Sequence, residues 1–409
     1  MSASLIGMVY DIMEEIHDGS HAHRNGENAV DESYPDWENS TKESIPQWKK
    51  FIDEEFADDD TCTIDWEWLK GLDLYSGIGI HDNDNMFASL SYDYIVRAKM
   101  ERILGILSKA WMFDHDDIIP DYDLVRALAH ASRRLNDDID YLEDKIPEDR
   151  RPSDTAPANE SRRRHGGSSA NGNDWHERYL PGKDVGIVVG IDLETTGLNQ
   201  YRDYVIDSGY EKMDMRKPLM ADGNHSIYRD SGYTADGAYA QERHSYGLST
   251  LRSSMGNPTE FLTGISSEDL RPFRTLDDSP SSQQSLLAAL KSAPYVAHNA
   301  GFEHKHFMAN VKGYAEAYKN GDITIIDTMC MSIKWGHDGN MKHDNNKLET
   351  YAKNWGGLDL VSSERHLGLE DAHIMLLAMN NHLHYLKSSN GGPWDADSGI
   401  DGIGGKQCR

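Results

Sequence analysis

Val185-Gly186-Ile187-Val188-Val189-Gly190-Ile191-Asp192-Leu193-Glu194-Thr195-Thr196-Gly197 is an apolar, β-branched run that ends in two acids and a turn. Its length and β-branching predict a buried strand over residues 185–191. Asp192 and Glu194 stand at i and i+2 at the strand's end, so both carboxylates project from one face. Burying two carboxylates side by side is costly unless something positive lies between them. A divalent cation is the simplest solution, and hard oxygen ligands suit Mg²⁺ or Mn²⁺. In isolation, an Asp-x-Glu of this kind reads as one acid capping a turn and one in solvent. Thr195-Thr196-Gly197-Leu198, following directly, favours the metal reading.

Two further acidic segments lie downstream. His298-Asn299-Ala300-Gly301-Phe302-Glu303 follows the short apolar run Tyr295 to Ala297 and places an acid in the first turn of a helix. Taken alone, Glu303 is equally an N-terminal helix acid favoured by the macrodipole. His366-Leu367-Gly368-Leu369-Glu370-Asp371 is the third segment. On one continuous helix a five-residue separation would set His366 and Asp371 about 140° apart. Gly368 predicts instead that His366 sits on the preceding loop and Asp371 on the helix, which lets them converge.

The same half of the chain alternates strand and helix signals. Tyr204 to Tyr210 reads as a hairpin partner of the first strand, Tyr295 to Ala297 and Ile323 to Ile326 as further strands. Helices are expected at Ser285 to Ser292, Phe302 to Tyr318, Lys347 to Asn354 and Leu369 to Leu386. Residues 216–243 read as a Gly-, Asp- and Tyr-rich insertion or loop. Ile206-Asp207-Ser208-Gly209 puts polar residues into a strand expected to be more apolar, which reads as an edge effect.

In the order Asp-x-Glu-Thr-Thr-Gly, His-Asn-x-x-Phe-acid and His-x-x-x-x-Asp, these segments resemble the three exonuclease motifs of the DEDDh, or DnaQ-like, superfamily. That family includes the proofreading subunit of bacterial replicative polymerase, ribonuclease T and oligoribonuclease. Leu262-Thr263-Gly264-Ile265-Ser266, Asp327-Thr328 and Lys347-Leu348-Glu349-Thr350-Tyr351-Ala352 are similar to secondary features of the family. The resemblance covers about residues 185–387.

It implies an α/β, ribonuclease-H-like mixed sheet flanked by helices, and two-metal hydrolysis at the 3′ end of single-stranded DNA or RNA. By position, Asp192 would bridge two Mg²⁺ or Mn²⁺ ions, and Glu194, Asp371 and Glu303 would complete the metal set. His366 would be the general base, a role suited to an imidazole. Thr195 and Thr196 would hold the terminal nucleotide, with Leu198 wedged against its base. His298, Asn299 and Phe302 would line the strand's path.

The family carries Asp where this chain has Glu303. The extra methylene adds reach on the order of 1.5 Å, against positioning tolerances near roughly 0.5 Å. Two outcomes follow: an active enzyme, favoured by the four intact positions, or a weakened or inactive protein that binds nucleic-acid ends or acts as a scaffold.

The N-terminal region differs in character. Residues 1–182 carry 19 Lys+Arg against 39 Asp+Glu, a net of −20, whereas residues 183–409 carry 22 against 30, a net of −8. The chain's total of −28 argues against coating nucleic acid through a broad basic surface. Residues 1–150 read as an acidic, mostly helical domain. Ile95, Met100, Ile103, Leu104 and Leu107 recur at helical spacing, as do Leu124, Leu128, Leu135, Ile139 and Leu142. A polymerase or another protein partner, bound through this acidic domain, is compatible with the resemblance.

His17-Asp18, His81-Asp82 and His115-Asp116 resemble pieces of HD-type phosphohydrolase sites, but the first two lie in turn-rich sequence where Asp has an ordinary role. Residues 151–182 read as a disordered linker, with Arg162-Arg163-Arg164 as a solubilising run. Residues 389–409 read as a flexible tail. Met1 to Glu15 reads as a short helix rather than a secretory signal. No apolar run is long enough to span a membrane, so a cytoplasmic chain is expected. Cys62, Cys330 and Cys408 are far apart and suggest neither a disulfide framework nor a zinc site.

Overall fold

The computed structural model describes residues 37–57, 59, 62–72, 86–112, 120–152, 186–216, 219, 241–337 and 345–389. The expected helix over 1–15, the three His-Asp pairs, nearly all of the linker and tail, and most of the 216–243 loop lie outside them. The chain divides into two compact units.

The first unit holds α1 (Trp37–Glu55), α2 (Trp66–Lys70), α3 (Met86–Met112) and α4 (Asp123–Lys145). It also takes in two segments from much later in the chain, Asn199–Tyr204 and Leu248–Asn257. The leucine stripe of α4 is fully buried: Leu124, Leu128 and Leu135 have no exposed surface. On α3, Met100, Leu104 and Leu107 are buried as the spacing predicts, but Ile95 is exposed.

The polar face of α4 is buried too, because the two late segments cover it. Asp137, 1% exposed, accepts hydrogen bonds from the Tyr204 hydroxyl at 2.7 Å, the Ser249 hydroxyl at 2.5 Å and Arg252 Nε at 3.0 Å. Ser249 also caps the short helix α5 (Thr250–Met255) by accepting the Arg252 amide at 3.0 Å.

The second unit is built on a mixed sheet of β1 (Ile187–Thr195), β2 (Val205–Asp214), β3 (Gln241–Ser245), β4 (Tyr295–Ala297) and β5 (Ile325–Asp327). Among the described residues the strand order is β3-β2-β1-β4-β5, antiparallel from β3 to β1 and parallel from β1 to β5. Around it lie α6 (Glu260–Thr263), α7 (Ser267–Leu270), α8 (Pro280–Ser292), α9 (Gly301–Asn310), α10 (Tyr314–Lys319), α11 (Thr328–His337), α12 (Leu348–Asn354) and α13 (Gly368–Ser389). This is the expected α/β arrangement, a mixed sheet flanked by helices. Gly190 lets α13 pack tightly on the sheet, since a Cβ there would stand 2.5 Å from Leu376 Cγ of that helix.

Four expectations change. The strand β3 falls at the end of what reads as loop in sequence. The helix expected over Phe302 to Tyr318 breaks into α9 and α10 at Gly313, whose φ of 83° is left-handed and suits glycine. β2 is no edge strand: Asp207, Ser208 and Glu211 have no exposed surface, and each side chain has a polar partner. Cys330 is disulfide-bonded, and Cys62 is a buried free thiol. No helix among the described residues is long and apolar enough to cross a membrane.

Candidate metal centre

The end of β1 sets the first two acids. Asp192 pairs with Gly209 of β2 and Glu194 with Asp207, and the register shifts between Glu194 and Thr195 where the strand turns away. Gly209 carries no side chain because the head of α13 rests on it. A Cβ at Gly209 would lie 1.9 Å from the Leu369 amide nitrogen, and one at Gly368 would lie 2.8 Å from the Asp192 carbonyl oxygen. Asp207 secures the same contact by accepting the Gly368 amide at 3.0 Å, while Arg243 Nε binds both its oxygens at 2.8 and 3.1 Å. The polar residues of β2 are therefore the seat of α13.

That seat delivers the third motif. His366 lies on the loop before α13 with φ 53°, a left-handed conformation uncommon for a residue with a Cβ. Asp371 lies in the first turn of α13. Glu194, His366 and Asp371 each present a donor atom, and the three atoms lie within 4.8 Å of one another. Strand, loop and helix thus converge as the Gly368 reading predicts.

The second motif is organised by Asp327 at the end of β5, which stands beside Ala297 of β4. Its buried carboxylate accepts the amides of Asn299 at 3.0 Å, Ala300 at 3.1 Å and Met329 at 2.8 Å. Those bonds hold Asn299 at φ 70° and aim the start of α9. Glu303, in the first turn of α9, is 2% exposed, and its Oε2 has no hydrogen-bond partner. Burial raises Asp327 to about 6 even against the pull of those backbone bonds.

Asp192 and Glu303 fall outside the group of Glu194, His366 and Asp371, and their link to it is electrostatic. Burial, with Asp371, Asp207 and Glu364 adding like charge, raises Glu194 to about 8 against the pull of Arg243. Burial and Glu364 raise Asp371 to about 8, opposed by the Arg365 and Leu367 amides. Asp192 is pushed well up by burial and then by Glu194, Asp371, Glu303 and Glu364. Glu303 is likewise raised by burial, with Asp327 and Glu194 adding to it. Asp371 is 1% exposed, and apart from those two amides its oxygens have no hydrogen-bond partner. Buried carboxylate oxygens left bare beside other carboxylates are what a cation site requires, and an oxygen-rich set with one imidazole fits a hard divalent ion.

Two of these contributors escape the motif reading. Asp207 looks like a misplaced polar residue in a strand, and Glu364 looks like loop sequence; only the fold brings their charge to Glu194. The spacing of Glu364, two residues before His366, is the one signal that pointed there.

The other residues named from the resemblance are distributed as follows. Thr195 and Thr196 are buried; the Thr195 hydroxyl bonds the Gly197 carbonyl at 2.5 Å, and its carbonyl accepts the Thr259 hydroxyl at 2.9 Å. Leu198 is 86% exposed. Asn299 is exposed, and Phe302 is half-buried with its ring 4.6 Å from that of His306. His298 has both ring nitrogens engaged internally, Nδ1 with Thr328 Oγ1 at 2.9 Å and Nε2 donating to the Asn346 carbonyl at 2.7 Å. Burial holds it neutral, with a pKa lowered to about 4.

No family model and no curated protein matches the chain. Among 92 matching chains of solved structures is Escherichia coli Exonuclease I, crystallised in complex with a dT13 oligonucleotide. It is 14% identical, with a TM-score of 0.35, over 50% of this chain and 41% of that one. This chain therefore spans about two-fifths of that protein.

Proposed function

We propose that residues 183–388 form a metal-dependent 3′→5′ exonuclease acting on single-stranded DNA or RNA. The observation that carries the reading is the convergence of Glu194, His366 and Asp371, with Asp371 buried among other carboxylates. In this reading Asp192, Glu194, Glu303 and Asp371 hold two Mg²⁺ or Mn²⁺ ions. When bound, such ions lower the pKa of water and neutralise charge on a leaving 3′ oxygen.

The chain's own residues then divide the remaining work. His366 takes the proton of the attacking water, and its loop keeps the imidazole at the edge of the carboxylate cluster. The Thr195 and Thr196 backbone seats the terminal nucleotide, and exposed Leu198 packs against its base. Asn299 and Phe302 line the strand's path. His298 serves as a brace between Thr328 and Asn346, since neither of its nitrogens is free.

The buried Glu303 carries the competing reading of a weakened or inactive end-binding protein. Its Oε2 is bare, so one carboxylate oxygen of the longer side chain is not spent on a hydrogen bond. The test is purified full chain with 3′-labelled single-stranded DNA or RNA in Mg²⁺ or Mn²⁺. Stepwise shortening that disappears in Asp192→Ala supports the enzyme. Binding without shortening, in wild type and in Glu303→Asp alike, overturns it in favour of the scaffold. The acidic N-terminal region is proposed as an accessory domain for a protein partner.

A further inference from the structure

His366 does not stand alone on its loop. Glu364, two residues earlier, has a side chain only 16% exposed, and its Oε1 lies 3.6 Å from His366 Nδ1. The backbone of Glu364 is itself fixed: its amide donates to Glu349 Oε2 at 3.3 Å, and Glu349 Oε1 is held by Lys353 at 2.7 Å. The carboxylate is thus placed from α12, an element separate from β1 and α13, which carry Glu194 and Asp371. His366 is two-thirds buried and locked at φ 53°, which restricts how its ring is presented.

An imidazole acts as a base only through the nitrogen that lacks a proton, and a carboxylate at one nitrogen decides which one that is. We propose that Glu364 is a positioning residue for His366, accepting the Nδ1–H so that Nε2 is left bare to take a proton. The present 3.6 Å is longer than a hydrogen bond, and a small rotation of either side chain closes it; such contacts commonly tighten on substrate binding. A fifth acid beside a site with four is otherwise a cost, because it adds like charge to Asp192, Glu194 and Asp371. The inference rests on the exonuclease reading for its catalytic meaning, but not for its geometry.

The experiment uses the full chain as wild type, Glu364→Ala and Glu364→Gln, each checked for folding by thermal melting. In ¹⁵N-histidine NMR without metal or nucleic acid, with the His366 signals assigned through His366→Asn, wild type is expected to show the Nδ1–H tautomer. Glu364→Ala should shift it towards Nε2–H, and Glu364→Gln, whose amide oxygen can still accept, should retain most of the wild-type form. On a labelled single strand, Glu364→Ala should lower kcat by about 10- to 100-fold with KM little changed, and Gln should recover part of it. Mn²⁺ affinity by calorimetry should fall by less than about tenfold.

An unchanged tautomer in Glu364→Ala overturns the proposal. So does a tenfold or greater loss of Mn²⁺ affinity in both variants, which would make Glu364 a metal ligand. A shifted tautomer in a wild-type chain that cuts nothing would keep the positioning and sink the exonuclease reading instead.

Discussion

Gly209 of β2 and Gly368 of α13 meet backbone to backbone, so closely that a Cβ on Gly368 would stand 2.6 Å from the Gly209 amide nitrogen. The contact decides how far α13 sits from β1, and hence whether Asp371 reaches Glu194. Gly209→Ala should therefore push the helix off its seat, since the new Cβ would overlap the Leu369 backbone at 1.9 and 2.1 Å. A loss of about 1–3 kcal/mol in urea denaturation is expected, with Mn²⁺ binding lost in calorimetry. Gly105→Ala, with nothing within 4 Å of its Cβ, serves as the control and should leave Mn²⁺ binding intact.

Metal-free stability should fall as pH rises. Glu194 and Asp371 have folded-state pKa values of about 8, above their ordinary 4.5 and 3.8. A carboxyl whose pKa is raised on folding binds its proton more tightly in the native state, so its contribution is lost as pH climbs from about 4 through 8. Mg²⁺ competes with those protons. The stabilisation by Mg²⁺, read as a rise in Tm by scanning fluorimetry, should be small at pH 6 and large at pH 8.5, where a hundredfold excess over Kd corresponds to about 2.7 kcal/mol. A Mg²⁺ effect that is flat across this range would contradict the carboxylate assignment.

Asp327 ties β5 to the start of α9 through the Asn299 and Ala300 amides, and to α11 through that of Met329. Asp327→Ala strips all three at once and should cost roughly 2–4 kcal/mol, because bonds to a charged acceptor are the stronger kind and the freed Ala300 amide stays buried. Asp327→Asn keeps one acceptor oxygen and should cost about half as much. Chemical denaturation of the two variants gives the comparison, and equal losses would show that the carboxylate does not organise this loop.

Arg252 is the cation opposite Asp137, and it also bonds Asp140. Removing it strands a buried carboxylate, a change that typically costs about 3–5 kcal/mol. Asp137 is already raised to about 6, by burial first and against the pull of Arg252. In Arg252→Ala that opposing pull disappears and Asp137 protonates more readily. The loss should accordingly be smaller at pH 5 than at pH 8, and a pH-independent loss would place the effect in packing instead.

What could be read from the chain, and what could not, follows from how far each signal reaches. The β1 strand and its terminal acids lie within one contiguous run, and Gly368 sits in the same short segment as His366 and Asp371. Those were legible because the periodicity and turn chemistry are local. Asp207 was misread because its partners, Arg243 and the Gly368 amide, lie 36 and 161 positions away. β3 was missed because it is five residues at the rim of a polar loop and gains its strand character from pairing with β2. Glu364 carries no local mark beyond its nearness to His366; its backbone is fixed by Glu349, 15 positions earlier.

The discontinuous make-up of the first unit bears on how the protein is born. Asp137 leaves the ribosome more than a hundred residues before Ser249 and Arg252, its eventual partners. Until those arrive, α4 carries a carboxylate on a face meant to be dry, and the N-terminal helices remain an unfinished bundle. Synthesis must pass through β1 and β2 before that bundle can close, so the two halves mature in an interlaced order rather than one after the other. A chain cut between them would yield not a finished domain but one with an open seam along α4.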